Sequence, residues 1–186
     1  MIYHFMPFSL DWDYAAEINK YVQMVPDMED HICIWDGDTI RLRPKWGTNI
    51  SDMIKANPEF DLLICMATRI GCHYQRLNNS ISNERDLFKL HQMIDKQDRL
   101  IDSYKAEEVT DPGSLSGFLM CFKKKTAIEI PFRKSKTGIL NVDGNFGSDL
   151  QKAGKRVGLV KKICVIHYYR LNKKDRKDKS HLIKPI

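Results

Sequence analysis

The sequence has no run of 18 or more apolar residues, so a membrane-spanning helix is not expected. It has no fixed-period repeat and no low-complexity segment, which excludes a solenoid and a long flexible linker. The opening MIYHFMPFSLDWD has neither a basic segment nor a cleavage site of small residues, so we expect no signal peptide. The 186 residues match one globular domain with a substantial core.

Cysteine pairs at the spacing of a metal knuckle or a redox motif are also missing. The chain has five cysteines and none forms a C-x-x-C pair, which excludes zinc-ribbon and thioredoxin-like sites. Four of the five lie inside or at the edge of apolar runs. We therefore expect buried free thiols and a cytoplasmic, reducing location.

Charge is distributed unevenly behind the net value of +6. Residues 1–122 carry 12 basic and 19 acidic residues, whereas residues 123–186 carry 18 basic and 5 acidic residues. A basic C-terminal part suits an anionic partner such as a nucleotide phosphate or an acidic membrane surface. Residues 172–186 are expected to form a flexible basic tail, either solvated or in peripheral contact with a membrane. That tail lacks interleaved aromatic residues, so nucleic acid is not expected as a partner.

Apolar runs alternate with helical patterns along residues 1–171, which we expect to form one domain. Strands are predicted at residues 2–8, 31–35, 61–67, 117–122, 157–160 and 163–169, and helices at 14–25, 46–57, 83–105 and 146–153. Several strands are apolar throughout, as strands buried on both faces are. The pattern predicts a three-layer α/β domain with a mostly parallel or mixed sheet, whose ligands bind beyond the carboxyl ends of the strands.

Asp36 and Asp38 directly follow the buried strand at residues 31–35. Two carboxylates one residue apart can converge on a hard divalent cation and leave coordination positions open for phosphates. The alternative is a strand-ending turn with two solvated aspartates.

Two later residues have similar double interpretations. Asp143 opens a helix, where it can act as a cap or as a general base at the mouth of the sheet. His167 ends an apolar run, where it can be a core residue or a third metal ligand beside the carboxylates. Arg170 lies close behind it in the sequence and can meet a diphosphate.

Three segments, ICIWDGDT, LSGFLMCFKKKT and GILNVDGNFGSDLQKAGKRVGLVKKICVIHYYRL, resemble a GT-A glycosyltransferase of the family 2 type in their order and spacing. The resemblance covers most of residues 1–171. It implies a Rossmann-like GT-A fold and transfer of a sugar from a nucleotide diphosphate donor, such as a UDP-sugar, to a hydroxyl. The acceptor would be a glycan or a lipid-linked molecule, and the reaction would proceed with inversion.

The resemblance also implies residue roles. Asp36, Asp38 and His167 would hold Mn²⁺ or Mg²⁺ against the donor diphosphate, with Arg170 nearby. Asp143 would be the catalytic base. The acceptor region would comprise Ser116, Gly117, Phe118 and Asn145.

The chain departs from that family in two places. Val142 stands where the family usually has glutamate, which affects acceptor positioning. Only residues 9–30 separate the first strand from the next, where family members have two further strand–helix segments that hold the nucleotide base. Base recognition would then be reduced, or rebuilt around Ser9, Asp13 and Asn19. A nucleotidyltransferase and a non-catalytic relative that binds nucleotide sugars or glycans remain alternatives.

Overall fold

The computed structural model describes residues 1–40, 45–77, 84, 86–136 and 141–168. Within these ranges the chain forms an α/β domain with one mixed sheet. Its elements are β1 (Ile2–Phe5), α1 (Tyr14–Met24), β2 (His31–Trp35), β3 (Thr39–Ile40), α2 (Trp46–Ala56), β4 (Leu62–Ala67), α3 (Leu87–Leu100), β5 (Glu107–Glu108), a 3-10 turn (Pro112–Ser114), β6 (Leu119–Lys123), α4 (Lys124–Glu129), α5 (Val142–Lys152) and β7 (Val157–His167).

The sheet has the strand order β1-β2-β6-β4-β7-β3, and β5 pairs with the beginning of β7. β1 is parallel to β2 and β4 is parallel to β7, whereas β6 runs antiparallel to both of its neighbours. It follows that β1, β2, β4 and β7 all point the same way. The prediction of an α/β domain with a mixed sheet is confirmed, and this open arrangement is consistent with a Rossmann-like fold.

Strand β2 shows why its apolar run lacks polar alternation. Its Ile32 and Ile34 pack into a core that contains residues of α1, α3, α4 and α5. The intervening Cys33 and Trp35 pack into a second core, which contains residues of α2. Because successive side chains of a strand point to opposite faces, helices cover both faces of the sheet. Burial on both sides accounts for the continuous apolar sequence.

Strand β7 is continuous where two strands were predicted. Its pairing with β4 shifts, since Cys65 lies opposite Val160 whereas the next residue, Met66, lies opposite Cys164. Residues 161–163 are therefore accommodated in an irregularity of the strand. Lys161 and Lys162 produced the apparent break in the sequence pattern, and they form ion pairs with Glu107 and Asp98 at its edge. The uninterrupted strand carries His167 to the same end of the sheet as the end of β2.

The prediction for the cysteines is confirmed. All five lie within the described ranges, are buried and form no disulfide bond: Cys33, Cys65, Cys72, Cys121 and Cys164. No helix in the described part of the chain combines the length and the apolarity that a bilayer crossing requires. The basic tail at residues 172–186 lies outside the described residues.

Helix α5 touches the 3-10 turn at its glycines. A Cβ atom at Gly144 would lie 2.5 Å from the carbonyl oxygen of Gly113, and one at Gly147 would collide with the carbonyl oxygen of Pro112. The turn can therefore approach the helix only where side chains are missing. This contact holds the residues that follow the turn, 115–117, against the first turns of α5.

We expect Gly147→Ala to lower the free energy of unfolding by about 2 kcal/mol, since overpacking costs more than the gain in helix propensity. For a domain of this size the melting temperature should fall by about 4–8 °C in calorimetry. Gly47→Ala is the matched control, because nothing lies within 4 Å of a Cβ at Gly47, also in a helix. Its melting temperature should stay constant or rise. Equal stability of the two variants would contradict the proposed contact.

Candidate metal centre and cleft

The turn after β2 is tied to β6 and β7 by main-chain hydrogen bonds. The amide of Asp36 donates to the carbonyl of Phe118 at 3.2 Å, and the amide of Tyr168 donates to the carbonyl of Asp38 at 2.9 Å. The short strand β3 then pairs Thr39 with His167. These bonds place the two aspartates of the turn beside the end of β7.

The side chains of Asp36, Asp38 and His167 come together at this point. His167 Nε2 lies 3.0 Å from Asp38 Oδ1 and 3.8 Å from Asp36 Oδ2. One potential ligand atom from each residue lies within 4.8 Å of the others, so the group can bind a metal ion. The side chain of His167 is 4% exposed and that of Asp38 is 49% exposed, so the group opens toward solvent on the aspartate side.

The ring of His167 is fixed by its other contacts. Its Nδ1 lies 3.2 Å from the carbonyl oxygen of Arg69, and its ring stacks on Phe118 with centroids 5.1 Å apart. A carbonyl oxygen can only accept, so Nδ1 carries the proton in this contact. Nε2 is then the nitrogen that faces the aspartates, 3.0 Å from Asp38 Oδ1, and it is the atom through which the ring could bind a cation, as in metal-ligating histidines.

Tyr14 of α1 supports the first carboxylate. Its hydroxyl donates to Asp36 Oδ1 at 3.3 Å. Burial, and then the negative charge of Asp36, raise the pKa of Tyr14, so the phenol stays protonated and remains a donor. Burial raises the pKa of Asp36 to about 6; Asp38 and Asp143 act in the same direction, whereas His167 opposes it. Three carboxylates thus share one region, which is a favourable setting for a cation.

The metal-binding group lies in a cleft of about 770 Å³ at the carboxyl ends of the parallel strands. The predicted site residues in its lining are Ser9, Asp36, Asp38, Ser116, Gly117, Asp143 and His167. Exposed apolar residues of the loop after β1, Phe8 and Leu10, form part of its rim. Trp12 and Asn141 also line the cleft, and both have left-handed backbone conformations, with φ of 63° and 62°. Such backbone strain in non-glycine residues concentrates at functional sites.

Asp143 lies in the first turn of α5, on the wall formed with residues 115–117. One carboxylate oxygen accepts from the amide of Gly117 at 2.6 Å, and the other accepts from the amide of Gly144 at 2.9 Å. A Cβ atom at Gly117 would lie 2.8 Å from the Asp143 Cβ, so the missing side chain permits this approach. Each oxygen of a carboxylate has two lone pairs, so Asp143 can accept a further proton or hydrogen bond.

Four predicted site residues lie outside the lining of the cleft: Asp13, Asn19, Phe118 and Asn145. The side chain of Asp13 caps α1 by accepting from the amide of Ala16 and pairs with Lys134. The side-chain amide of Asn19 donates to the carbonyl of Phe132 and accepts from the main-chain amide of the same residue. Neither residue is in the cleft lining, so the structure does not bring the predicted base-binding residues together, although Ser9 does line the cleft.

The predicted acceptor region also lies only partly in the lining of the cleft. Phe118 is fully buried beneath His167, and Asn145 is likewise absent from the lining, whereas Ser116 and Gly117 are present. Phe118 therefore supports the metal-binding group from the core. Arg170 lies outside the described residues.

Sequence reasoning missed several residues of the cleft. Tyr14 begins the predicted helix at 14–25 at helical spacing with Ile18 and Val22, so in the sequence it looks like a core residue. Phe8, Leu10 and Trp12 carry no motif, and their position at the rim depends on the path of the loop after β1.

Comparison with known proteins gives no relative: neither a protein-family model nor a curated protein sequence matches the chain.

Proposed function

We propose that this chain is a metal-dependent glycosyltransferase of GT-A type that moves a sugar from a nucleotide diphosphate donor to an acceptor hydroxyl. One observation carries the proposal: a group of two carboxylates and a histidine faces a cleft that also contains the carboxylate of Asp143. The cleft lies where an open α/β sheet binds its ligands, beyond the carboxyl ends of the parallel strands. Its volume of about 770 Å³ lies within the usual range of pockets that bind small molecules and cofactors.

The donor set fits a divalent cation. Carboxylate oxygens of Asp36 and Asp38 suit Mg²⁺ or Mn²⁺, and an imidazole nitrogen is a good ligand for Mn²⁺ and other transition metals. The contact of His167 Nδ1 with the Arg69 carbonyl orients the ring so that Nε2 would be the ligand atom of a bound cation. A cation bound there would act as a Lewis acid that neutralises charge on the leaving diphosphate.

Asp143 is the proposed general base. The acceptor oxygen forms a bond to the anomeric carbon while the bond between that carbon and the diphosphate oxygen breaks. The proton of the acceptor hydroxyl passes to the Asp143 carboxylate. A single displacement of this kind inverts the anomeric configuration. The amides of Gly117 and Gly144 hold the carboxylate in place against the wall of the cleft.

The apolar rim suits the less polar parts of the substrates. Phe8 is 74% exposed and Leu10 is 87% exposed at the mouth of the cleft. An aromatic side chain there offers a face on which a nucleotide base can stack. We propose a UDP-sugar as donor and a glycan or lipid-linked alcohol as acceptor, in a cytoplasmic enzyme.

Incubation of the purified chain with a panel of nucleotide sugars and Mn²⁺ tests the proposal. We expect slow hydrolysis or transfer that releases a nucleoside diphosphate, detected by ³¹P NMR, and complete loss of release after addition of a chelator. Binding of nucleotide sugars without any turnover would instead support a non-catalytic relative. Release of pyrophosphate from nucleoside triphosphates would support a nucleotidyltransferase, and no binding of either class would contradict all three functions.

A further inference from the structure

Strands β4 and β6 separate at the end that faces the cleft. Their pairing runs from Leu62 opposite Phe122 to Ile64 opposite Met120, whereas β4 continues to Ala67. Beyond the last pair, the chain at residues 75–77 returns to β4. There the amide of Ala67 donates to the carbonyl of Gln75 at 2.8 Å, and the amide of Leu77 donates to the carbonyl of Ala67 at 2.9 Å.

The side chain of Gln75 bridges the gap between the separated segments. Its Nε2 donates to the carbonyls of Cys65 at 3.3 Å and Ser116 at 3.1 Å. Its Oε1 accepts from the amide of Ser116 at 2.7 Å. Gln75 has no solvent exposure, so these three bonds satisfy a buried amide through main-chain groups alone.

One peptide unit links Gln75 to Asp143. The carbonyl of Ser116 and the amide of Gly117 belong to the same planar group, and in a trans peptide they point in opposite directions. Gln75 binds the carbonyl side of this unit, while Asp143 accepts from the amide side at 2.6 Å. The hydrogen bond from Gln75 therefore orients the plane of this peptide. The same orientation directs the Gly117 amide toward the Asp143 carboxylate.

We infer that Gln75 is a positioning residue, which fixes the Ser116–Gly117 peptide and thereby the carboxylate of Asp143. Its catalytic consequence rests on the function proposed above, whereas its effect on the peptide does not. Without the amide of Gln75, the peptide plane is free to rotate and the Asp143 carboxylate loses its fixed position. A displacement of about 1 Å at a reacting group can cost about 100-fold in rate.

Gln75→Met tests the inference, because methionine has a similar length but makes none of these hydrogen bonds. Asn57→Leu is the matched control. Asn57 is also a buried amide with three hydrogen bonds to the main chain, to Met53, Tyr104 and Ala106. It lies outside the lining of the cleft. Both variants should lose thermal stability to a similar extent. Any difference between them in the other measurements then results from the location of Gln75 beside the Ser116–Gly117 peptide and not from a general loss of stability.

Amide hydrogen exchange is measured first, because it requires no activity. The Gly117 amide should exchange at least about tenfold faster in Gln75→Met than in the wild type, since its hydrogen bond opens more often, and should be unchanged in Asn57→Leu. Turnover is measured next: kcat should fall about 100-fold in Gln75→Met, with KM for the donor little changed. Gln75→Glu keeps an oxygen that accepts from the Ser116 amide but places its other oxygen against the Ser116 carbonyl, so both losses should persist in this variant.

An unchanged Gly117 amide in Gln75→Met and Gln75→Glu would overturn the inference. An equal fall of kcat in Gln75→Met and Asn57→Leu would overturn its catalytic part. If the wild-type chain transfers no sugar, the proposed function fails, but faster exchange of the Gly117 amide in Gln75→Met alone still supports the positioning of the peptide.

Discussion

Replacement of Asp38 by asparagine is expected to lower the affinity for Mn²⁺ by about 100-fold or more. Mutation of a residue that only hydrogen-bonds to a metal ligand already lowers metal affinity by about 10- to 100-fold, and Asp38 is itself a proposed ligand. Asp38 Oδ1 lies 3.0 Å from His167 Nε2 and belongs to the three-residue group. Asparagine keeps the shape of the side chain but loses its charge. Because the main-chain carbonyl of residue 38 still accepts from Tyr168, the turn itself should remain folded.

Titration calorimetry with Mn²⁺ measures this loss directly, and thermal unfolding offers a second readout. At 100 times the wild-type dissociation constant, Mn²⁺ should stabilise the wild type by about 2.7 kcal/mol but Asp38→Asn by only about 0.4 kcal/mol or less. Asp52→Asn, on helix α2 and outside the cleft lining, controls for the loss of one negative charge. Wild-type affinity in Asp38→Asn would show that Asp36, Asp38 and His167 do not form a metal site.

The group of Asp36, Asp38 and His167 was predictable because its residues lie at or just after the ends of two apolar runs. Asp36 follows β2 and His167 is the last residue of β7. Because ligands of open α/β sheets bind beyond the carboxyl ends of the parallel strands, both residues were expected at the same site. The sequence could not show that β3 pairs Thr39 with His167, since two-residue strands have no periodicity of their own. That pairing is what brings the turn after β2 to the end of β7.

The supporting residues were less predictable. Gln75 lies in a segment without periodicity, and its three hydrogen bonds join main-chain groups that are far apart in the sequence. Asn19 shows the opposite error: a polar residue on a helix near the site looked like a ligand contact, but it binds the main chain of Phe132. Local pattern identifies which side chains are polar, whereas tertiary contacts decide whether these bind a ligand or the protein itself.

Asp143 can likewise act on a ligand or serve the protein itself. As the proposed general base, its replacement by asparagine should reduce kcat by about 10²–10⁴-fold, the usual contribution of such a base. As a residue of the first turn of α5, the aspartate also contributes about 0.3–1 kcal/mol to stability through the helix dipole. Asparagine retains an oxygen that can accept from Gly117 but no longer accepts from Gly144, so the free energy of unfolding should fall by about 1–2 kcal/mol.

Steady-state kinetics together with titration calorimetry of the donor separate these roles. A base acts on the acceptor hydroxyl in the transition state, so Asp143→Asn should bind Mn²⁺ and the nucleotide sugar like the wild type while kcat falls. Asp149→Asn is the matched control on the same helix: it removes the ion pair with Arg133 and should lower stability without changing kcat. If Asp143→Asn loses stability but keeps its kcat, the carboxylate of Asp143 serves the helix and the Gly117 amide alone, and the proton of the acceptor must leave by another route.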